Sequence, residues 1–515
     1  MSSTKKTITG AEASSFIVRI LVSAYTILLF ILLPLCYRNN YFDIGDFKYE
    51  LFFNMTGCLF ILLVPALLFY LFTHIHSKTG NTRTVKQFFS DLSVIDRFVL
   101  LYLAACLITF FLSPYNTWTF FTKDASNPAW DGYDGWCMGL KSQLMFIALY
   151  FLVSRFFIKS WKADLLASIL GASSIVFLLG ILHRFLIDPL ALYEGIDSSY
   201  HILFLSTIGQ ATWYSSYLCT VFPIGLFLFW YSDKPLVRIL TGIYTAIGFA
   251  SLVTQNSDSA FLAMAAFLVL LFALSFQSAK YLQRFLEILL ICGLSMRVIG
   301  VLQLAFPDRA VPLETLSVFL SQNPLLWIIL FIIALLYFAL ASANARDIFK
   351  VEKVRFIRTL GFILLAVVIP LVVLCIVLTT TGHLPSWLSA LKNYDYMIFN
   401  ENWGNGRGFT WKYSASMFAE YPLKLKLFGI GSDCFASYTY DYHAADVSVK
   451  WGDSILANAH NEWFNMLLTT GIFGLFAYAG IFISAFVIFI KEKEKDLFLT
   501  AAAACIISYI FHNLF

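Results

Sequence analysis

Residues 359–380 read TLGFILLAVVIPLVVLCIVLTT, an apolar run without a charged side chain. A helix needs about 20 mostly apolar residues to cross the hydrocarbon core of a bilayer, so this run predicts a transmembrane helix. Similar windows recur along the whole chain, and hydropathy indicates about thirteen candidate spans. The predicted fold class is therefore an all-α polytopic membrane protein. The candidate spans cover residues 16–37, 51–73, 98–113, 142–158, 165–182, 212–231, 239–255, 260–276, 286–305, 324–342, 359–380, 463–490 and 497–514.

The overall composition agrees with this reading. The 515 residues are 59% hydrophobic, 18% aromatic and 13% charged. Soluble globular domains carry about 25% charged and about 45–50% apolar residues. The composition thus excludes a soluble enzyme and a disordered chain. A net charge of +4 is too small for a basic nucleic-acid-binding face, so we expect the bilayer, and no nucleic acid, as a partner.

The loop charges predict the orientation of the chain in the membrane. With the N-terminus in the cytoplasm and the spans alternating, 21 Lys and Arg residues fall in the inside loops and six in the short outside loops. Positive residues prefer the cytoplasmic side. The sequence therefore predicts a cytoplasmic N-terminus and places the long loop of residues 381–460 outside.

This long loop divides the chain into three parts. We expect an N-terminal membrane domain of about eleven spans at 1–380, a large extracytoplasmic loop at 381–460, and C-terminal membrane helices at 461–515. A loop of this length without secondary structure is rare in a compact protein, so short helices are expected in it. One predicted helix covers Phe409–Tyr421, because Pro422 would end it.

Arg407 is the strongest candidate for binding an anion. It stands between two glycines in Gly404-Asn405-Gly406-Arg407-Gly408. Glycine lets backbone amides approach an anion, and a guanidinium binds phosphate oxygens in a bidentate manner. The alternative is an ordinary surface arginine in a turn. Lys424 and Lys426 add positive charge further along the loop, unless each is simply solvated.

His460 is the candidate base. It lies in Asn458-Ala459-His460-Asn461-Glu462, which leads into an apolar helix that Asn458 could cap. The positive end of a helix lowers the pKa of a nearby histidine, so a neutral imidazole that accepts a proton is expected. A capping or interfacial histidine is the alternative interpretation.

The cysteines and the metal-binding patterns say less. Of nine cysteines, only Cys137 and Cys434 lie in outside loops. A disulfide between them is an option, but lone thiols are favoured. The chain has no metal-ligand spacing such as HExxH or CxxC, and we expect neither a metal nor a cofactor.

Residues 400–480 contain an ordered set of motifs: Arg407…Trp411, Pro422…Gly429-x-Gly431, Ala459-His460-Asn461 and Gly471-x-x-Gly474. A weaker piece, Gly209-Gln210-Ala211-Thr212-Trp213-Tyr214, lies at the start of a span. The ordered set resembles the O-antigen ligase/polymerase family of bacterial membrane glycosyltransferases. The resemblance implies a GT-C-like fold with the site on the outer face of the bacterial cytoplasmic membrane.

The resemblance also implies a reaction. The donor would be a glycan on polyprenyl pyrophosphate, and the acceptor a hydroxyl of a glycan or lipid. His460 would be the general base, and Arg407 with Lys424 or Lys426 would bind the pyrophosphate. The resemblance implies a metal-independent displacement that inverts the anomeric centre. Contacts to the loop and the sugars would come from Trp411, Asn461, Gly429, Gly431 and Trp213.

The chain departs from the family at one position. Many members have a Ser-Arg pair before a span, whereas this chain reads Asn256-Ser257-Asp258-Ser259. An acid thus replaces a second anion-binding arginine. Arg297, within a span, and Arg309, in the following outside loop, are the candidates to compensate.

Two other classes of protein stay open. One is a transporter or flippase of lipid-linked glycans, against which stand the lack of repeats and the long outside loop. The other is a cell-wall glycan polymerase of the shape, elongation, division and sporulation type, whose proposed active residue is an outside carboxylate. Asp433 and Asp453 would be the residues to compare with His460. The choice between ligation and polymerisation is also open.

Overall fold

The structure is a computed structural model that describes residues 10–76, 91–117, 127–133, 136–346, 348–452, 454–492 and 497–514. Within these ranges almost all regular structure is helical. The membrane-type helices and those between them are α1 Gly10–Leu35, α2 Ile44–His76, α3 Val94–Leu112, α4 Pro128–Asp131, α5 Leu140–Phe156, α6 Lys162–Arg184, α7 Ala211–Tyr231, α8 Pro235–Thr254, α9 Asp258–Ser275, α10 Ala279–Ala305, α11 Thr315–Gln322, α12 Leu325–Ala345 and α13 Arg355–Thr380. The remaining helices are α14 Trp403–Glu420, α15 Leu423–Phe428, α16 Phe435–Tyr442, α17 Ala444–Trp451, α18 Glu462–Lys491 and α19 Leu497–His512.

Short elements complete the described chain. The 3₁₀ helices cover Lys159–Trp161, Ser198–Ile202, Pro307–Arg309, Val351–Val354, Ser386–Asn393 and Asp395–Met397. Phe204–Leu205 (β1) and Gly209–Gln210 (β2) pair as an antiparallel hairpin just before α7. Buried Arg184, at the end of α6, donates to the carbonyl oxygens of Thr254, His201 and Ile202. These bonds tie the segment between α6 and α7 to the end of α8.

Eleven helices of the described chain are long and apolar enough to cross a bilayer. They coincide with eleven of the predicted spans, so the all-α polytopic membrane fold is confirmed. The predicted spans 142–158 and 497–514 coincide with α5, which has 17 residues, and with the shorter apolar helix α19. The total of thirteen spans and the orientation of the chain stay predictions.

The largest apolar core lies among α6, α7, α8, α9 and α10. Its aromatic side chains need close helix approaches, which two glycines provide. A Cβ on Gly248 would lie 2.0 Å from the ring of Phe222, and one on Gly225 would lie 2.3 Å from the ring of Tyr244. A side chain at either position would clash with the buried ring opposite, so glycine is required there for space.

A second core joins the 381–460 loop to α3 and α18. Met417, Ile430, Phe435 and Val447 are all buried there together with Phe110 of α3. The loop contains α14 to α17, so the expected helices are present in it. The loop is thus part of the packed fold, and its residues are held rigidly against the ends of the long helices.

Two glycines bring the loop and α18 into backbone contact. Gly429 has φ +75° and Gly471 has φ +71°. A Cβ on Gly429 would lie 2.3 Å from the carbonyl oxygen of Thr469, and one on Gly471 would lie 2.4 Å from the carbonyl carbon of Leu427. The glycines of the sequence pattern therefore serve the packing of α15 on α18.

Helices α12 and α13 lie at the edge of the bundle. In the most apolar window of α12, 11% of the residues are buried. In the corresponding window of the span that contains α13, 0% are buried. Side chains of α13 such as Leu364 and Leu371 are more than half exposed. Such a surface suits contact with lipid, because it would be costly to expose to water.

Candidate functional site

A cavity of about 640 Å³ lies beneath the folded loop. Its walls come from the start of α2, the start of α7, the turn before α14, and the segment that enters α18. Aromatic and amide side chains both contribute to these walls, and Trp136 meets Trp213 edge to face at 6.2 Å. The charged or titratable side chains of the wall include Lys48, Arg407, Asp433, His460, Glu462 and His512.

A left-handed turn presents Arg407 to the cavity. Gly404, Asn405 and Gly406 have φ of 59°, 59° and 87°, and regular α14 begins only at Arg407. Three successive left-handed residues are costly unless most are glycine, which explains the Gly-Asn-Gly sequence. The Arg407 Nη1 donates to the carbonyl oxygen of Gly404 at 2.9 Å.

The remaining donors of Arg407 suit an anion. Its Nε is buried and makes no hydrogen bond with the described residues. Burial lowers the pKa of Arg407, and the nearby Tyr396 and Asp258 act in the opposite direction. An arginine stays protonated despite such a shift. The side chain is thus a desolvated cation with free donor capacity beside a cavity.

Asp258 lies next to this arginine. The Tyr396 hydroxyl donates to Asp258 Oδ2, and burial and this carboxylate raise the pKa of Tyr396. Asp258 also lies at an apolar pocket of about 440 Å³ whose walls include Phe261, Met264 and Leu316. An acid therefore lies between the anion-binding candidate and an apolar pocket among α8, α9, α10 and α11.

Three contacts hold His460 in an unusual backbone conformation. Its φ is +47°, which is uncommon for a residue other than glycine. The His460 amide donates to Asn458 Oδ1 at 2.8 Å, and Trp411 Nε1 donates to the His460 carbonyl oxygen at 3.3 Å. The imidazole is stacked on Trp451, with centroids 5.5 Å apart and planes 5° apart.

The surroundings of His460 favour its neutral form. Burial and, second, the charge of Arg407 lower the pKa of His460 to about 4. The side chain still exposes area to the cavity, so its ring can be reached from there. The lowered pKa of His460 agrees with the expectation from the sequence. Its causes, however, are burial and the charge of Arg407, and not the end of a helix.

The predicted cap of α18 was wrong. Asn461, not Asn458, is the N-cap, because its Oδ1 accepts from the Phe464 amide at 3.0 Å. The same side chain donates through Nδ2 to the carbonyl oxygen of Leu514 at 2.9 Å. Asn458 lies too far before the helix and instead holds the His460 amide.

Residues after α19 also border the cavity. The Glu462 amide donates to the Asn513 carbonyl oxygen at 3.1 Å. His512 Nε2 lies 3.1 Å from Ser215 Oγ and 3.3 Å from Ser259 Oγ. The last described residues thus hold the start of α18 and bring a second histidine to the wall.

Asp433 connects two separate loops at the cavity. It has φ +60°, and its Oδ2 accepts from the amides of Tyr133 and Met138 at 2.9 and 2.8 Å. Burial raises the pKa of Asp433 to about 6, although these two hydrogen bonds act against the rise. Cys434 and Cys137, which follow and precede these contacts, are not joined in a disulfide.

Comparison with known families shows what this part of the chain is similar to. Residues 243–479, a little under half of the chain, match a family model described as O-antigen ligase. The match supports a relationship to the O-antigen ligase family over this segment. The matched segment runs from α8 into α18 and contains both Arg407 and His460. No significant match is found among curated proteins.

The match to the O-antigen ligase family has general consequences. It supports a glycosyltransferase of the O-antigen ligase and polymerase type, and that family implies a lipid-linked glycan as substrate. The many apolar helices agree with a multi-pass membrane protein.

Four of the site residues predicted from sequence line the cavity: His460, Arg407, Asn461 and Trp213. Trp411 reaches the site through its hydrogen bond to the His460 backbone. Gly429 and Gly431 are buried, with φ of +75° and +126°, and do not border the described cavity. Their place in the motif reflects the packing of the loop.

The other predicted cations lie elsewhere. None of the four is among the described residues that line the cavity. Lys424 is exposed, and Lys426 Nζ donates to the Ala419 carbonyl oxygen at 2.8 Å. Arg297 donates to the carbonyl oxygens of Ser321 and Gln322 and therefore caps α11. Arg309 is exposed in a 3₁₀ turn.

Sequence reasoning missed several residues of this site. Trp451 ends a short helix just before a glycine, a position with no local functional signal. His512 occurs in an apolar helix, where it reads as a buried histidine. Glu462 stood within a quoted motif and Asp433 was named only for comparison with His460, but only the fold brings both carboxylates to the cavity.

Proposed function

We propose that the cavity transfers a glycan from a polyprenyl-pyrophosphate carrier to an acceptor hydroxyl on the outer face of the bacterial cytoplasmic membrane. The observation that carries this proposal is the shared cavity of His460 and Arg407. One supplies a neutral imidazole and the other a half-buried guanidinium whose Nε is unpaired among the described residues. Transfer from a pyrophosphate requires a proton acceptor and a group that stabilises the leaving anion.

In the proposed reaction, the acceptor oxygen attacks the anomeric carbon while a ring nitrogen of His460 takes the hydroxyl proton. The bond between the anomeric carbon and the phosphate oxygen breaks, and the polyprenyl pyrophosphate leaves with the electron pair. A single displacement of this kind inverts the anomeric centre. Binding of the anionic donor beside Arg407 would offset the charge that lowers the His460 pKa, so the histidine would become a stronger base in the complex.

The charge of the leaving group would be stabilised by Arg407 and not by a divalent ion in this proposal. A desolvated guanidinium has the bidentate geometry that phosphate oxygens need. We therefore infer a metal-independent reaction, which chelation can test.

The donor would enter from the lipid. The apolar pocket at Asp258 borders the anion-binding candidate, and the neighbouring spans are largely exposed. This arrangement supports a lateral path from the lipid for a long hydrocarbon chain, because exposing such a chain to water is unfavourable. The acceptor would occupy the other side of the cavity, where Trp136 and Trp213 offer faces for sugar rings.

The test uses purified protein in lipid nanodiscs with lipid-linked glycan extracted from the source cells. Mass spectrometry should detect a new glycosidic bond, together with free polyprenyl pyrophosphate, in the presence of EDTA. Arg407→Ala and His460→Gln should lose both products, while Lys424→Ala, an exposed control outside the cavity, should keep them. Extended glycan on the lipid carrier would indicate polymerisation, and glycan on a different lipid would indicate ligation.

Three results would contradict the proposal. Movement of lipid-linked glycan across proteoliposomes without any new bond would favour the flippase alternative. Full activity of His460→Gln with an inactive Asp433→Asn would favour the carboxylate-dependent cell-wall polymerase type. Loss of activity with EDTA and its return with a divalent ion would overturn the metal-independent mechanism.

A further inference from the structure

Trp451 makes two contacts that connect the halves of the site. Its indole is stacked almost parallel on the imidazole of His460, with centroids 5.5 Å apart. A Cβ placed on Gly406 would lie 3.9 Å from Trp451 Cζ2, so the same indole also faces the turn that precedes Arg407. The tryptophan therefore lies between the candidate base and the backbone that presents the candidate cation.

The position of Trp451 is itself fixed by packing. It is the last residue of α17, where Gly452 ends the helix with φ +55°. The indole packs against the core that joins the loop to α3 and α18. Its Nε1 is buried and makes no hydrogen bond with the described residues. A buried indole N–H without a partner is costly, so hydrogen bonding does not explain the placement of this ring.

We propose that Trp451 is a positioning residue that fixes the ring plane of His460 and places it relative to Arg407. The inference rests on the proposed function, since it assigns a role in the same reaction. The His460 backbone is already held by Asn458 and Trp411. Those bonds leave the side-chain torsions free, and the stack is the contact that restricts the ring.

The stack also suits the charge that develops during transfer. When His460 takes the proton of the acceptor, the imidazole becomes an imidazolium. The face of an indole within about 6 Å attracts such a cation. Trp451 therefore favours the protonated ring at the moment it forms, against the burial and the Arg407 charge that disfavour it. Replacement of Trp451 by an aliphatic side chain of similar bulk would remove this attraction and let the imidazole of His460 rotate.

The experiment compares Trp451→Phe, Trp451→Leu and Trp451→Met with the wild type, and uses Trp387→Leu as the control because Trp387 is 79% exposed. In the transfer assay, kcat of the Leu and Met variants should fall by roughly 10–100-fold, the scale of a misplaced catalytic group, with little change in the donor KM. Trp451→Phe keeps an aromatic face and should retain most of the activity. A purely structural role would not separate phenylalanine from leucine in kcat alone.

A second measurement needs no glycan substrate. Diethyl pyrocarbonate modifies neutral imidazole, and peptide mass spectrometry reports its rate at His460, with exposed His383 as the internal reference. Loss of the stack frees one face of the ring, so His460 should react several-fold faster in Trp451→Leu than in the wild type or Trp451→Phe. Equal rates at His460 in all variants, or equal kcat for Phe and Leu, would overturn the proposal. Because this readout does not depend on transfer, it separates a failed positioning role from a failed reaction.

Discussion

Asp258 accepts a hydrogen bond from the Tyr396 hydroxyl, and this pair lies beside Arg407. The contact joins the first residue of α9 to the 3₁₀ turn that follows α13 in the long loop. It places a negative charge where the sequence resemblance leads us to expect an arginine. The carboxylate offsets part of the positive charge of Arg407, which weakens the attraction between Arg407 and an anionic donor.

Neutralising this acid should strengthen donor binding. In Asp258→Asn the side chain can still accept from Tyr396, but its charge is lost. We expect the donor KM to fall by roughly two- to tenfold, the range of one partly screened charge interaction. Steady-state kinetics with lipid-linked glycan measures this change, and Asp308→Asn, an exposed acid outside the cavity, is the matched control. An unchanged or higher KM in Asp258→Asn would show that the acid does not oppose the donor.

Arg407→Lys should be almost as damaging as Arg407→Ala. Lysine keeps the charge but loses the planar fork that binds two phosphate oxygens. Removal of a group that stabilises developing charge typically costs about 10²–10³-fold in kcat. The rate of polyprenyl pyrophosphate release reports this loss, and membrane insertion should be normal. Wild-type rates in both variants would remove Arg407 from the site.

His460→Gln should lose roughly 10²–10⁴-fold in rate, the usual contribution of a general base. Glutamine retains hydrogen bonding but cannot take a proton at neutral pH. Lipid-linked glycan should accumulate in cells that carry the variant, and single-turnover transfer with purified protein quantifies the defect. If His460→Gln and wild type turn over equally, the imidazole serves only to shape the loop.

The pH dependence of transfer should follow the lowered His460 pKa. Burial and Arg407 keep the ring neutral at pH values where an ordinary histidine is protonated, with a pKa of about 4. The active neutral form is present above that pKa and is lost as the pH falls through it. Transfer by the unliganded protein, measured as kcat/KM, should therefore stay level from about pH 8 to about pH 6. A decline centred near pH 6.5 would show that the free histidine is unperturbed.

Gly471→Ala should destabilise the protein. The residue has φ +71°, and its new Cβ would lie 2.4 Å from the backbone of Leu427. Strain of this kind costs of order 1–3 kcal/mol before the clash is relieved. We expect a lower thermal unfolding temperature and weaker packing of α15 on α18. Gly57→Ala, within helix α2 where no atom lies within 4 Å of the added Cβ, is the control and should not lower stability. Equal melting of both variants would contradict the close approach.

Hydropathy alone determined the class of the protein and the positions of most long helices. Apolar runs such as 359–380 must be helical in a bilayer, because each backbone polar group needs an internal partner there. The sequence also singled out Arg407 and His460 as candidate site residues, because Arg407 stands between two glycines and His460 precedes the start of a helix. These are local properties, so they can be read without a fold.

Tertiary structure alone decided which residues share a site. Trp213 and His460 are far apart in sequence, yet both line one cavity. Arg297 was a further anion-binding candidate from sequence, but it donates to the carbonyl oxygens of Ser321 and Gln322 and so caps α11. The sequence around Trp451 does not indicate a functional role, and only the packing of α17 brings its indole onto the imidazole of His460. Local patterns fix helices through backbone hydrogen bonding and hydropathy, whereas convergence of side chains depends on how the helices pack, which no single stretch of sequence encodes.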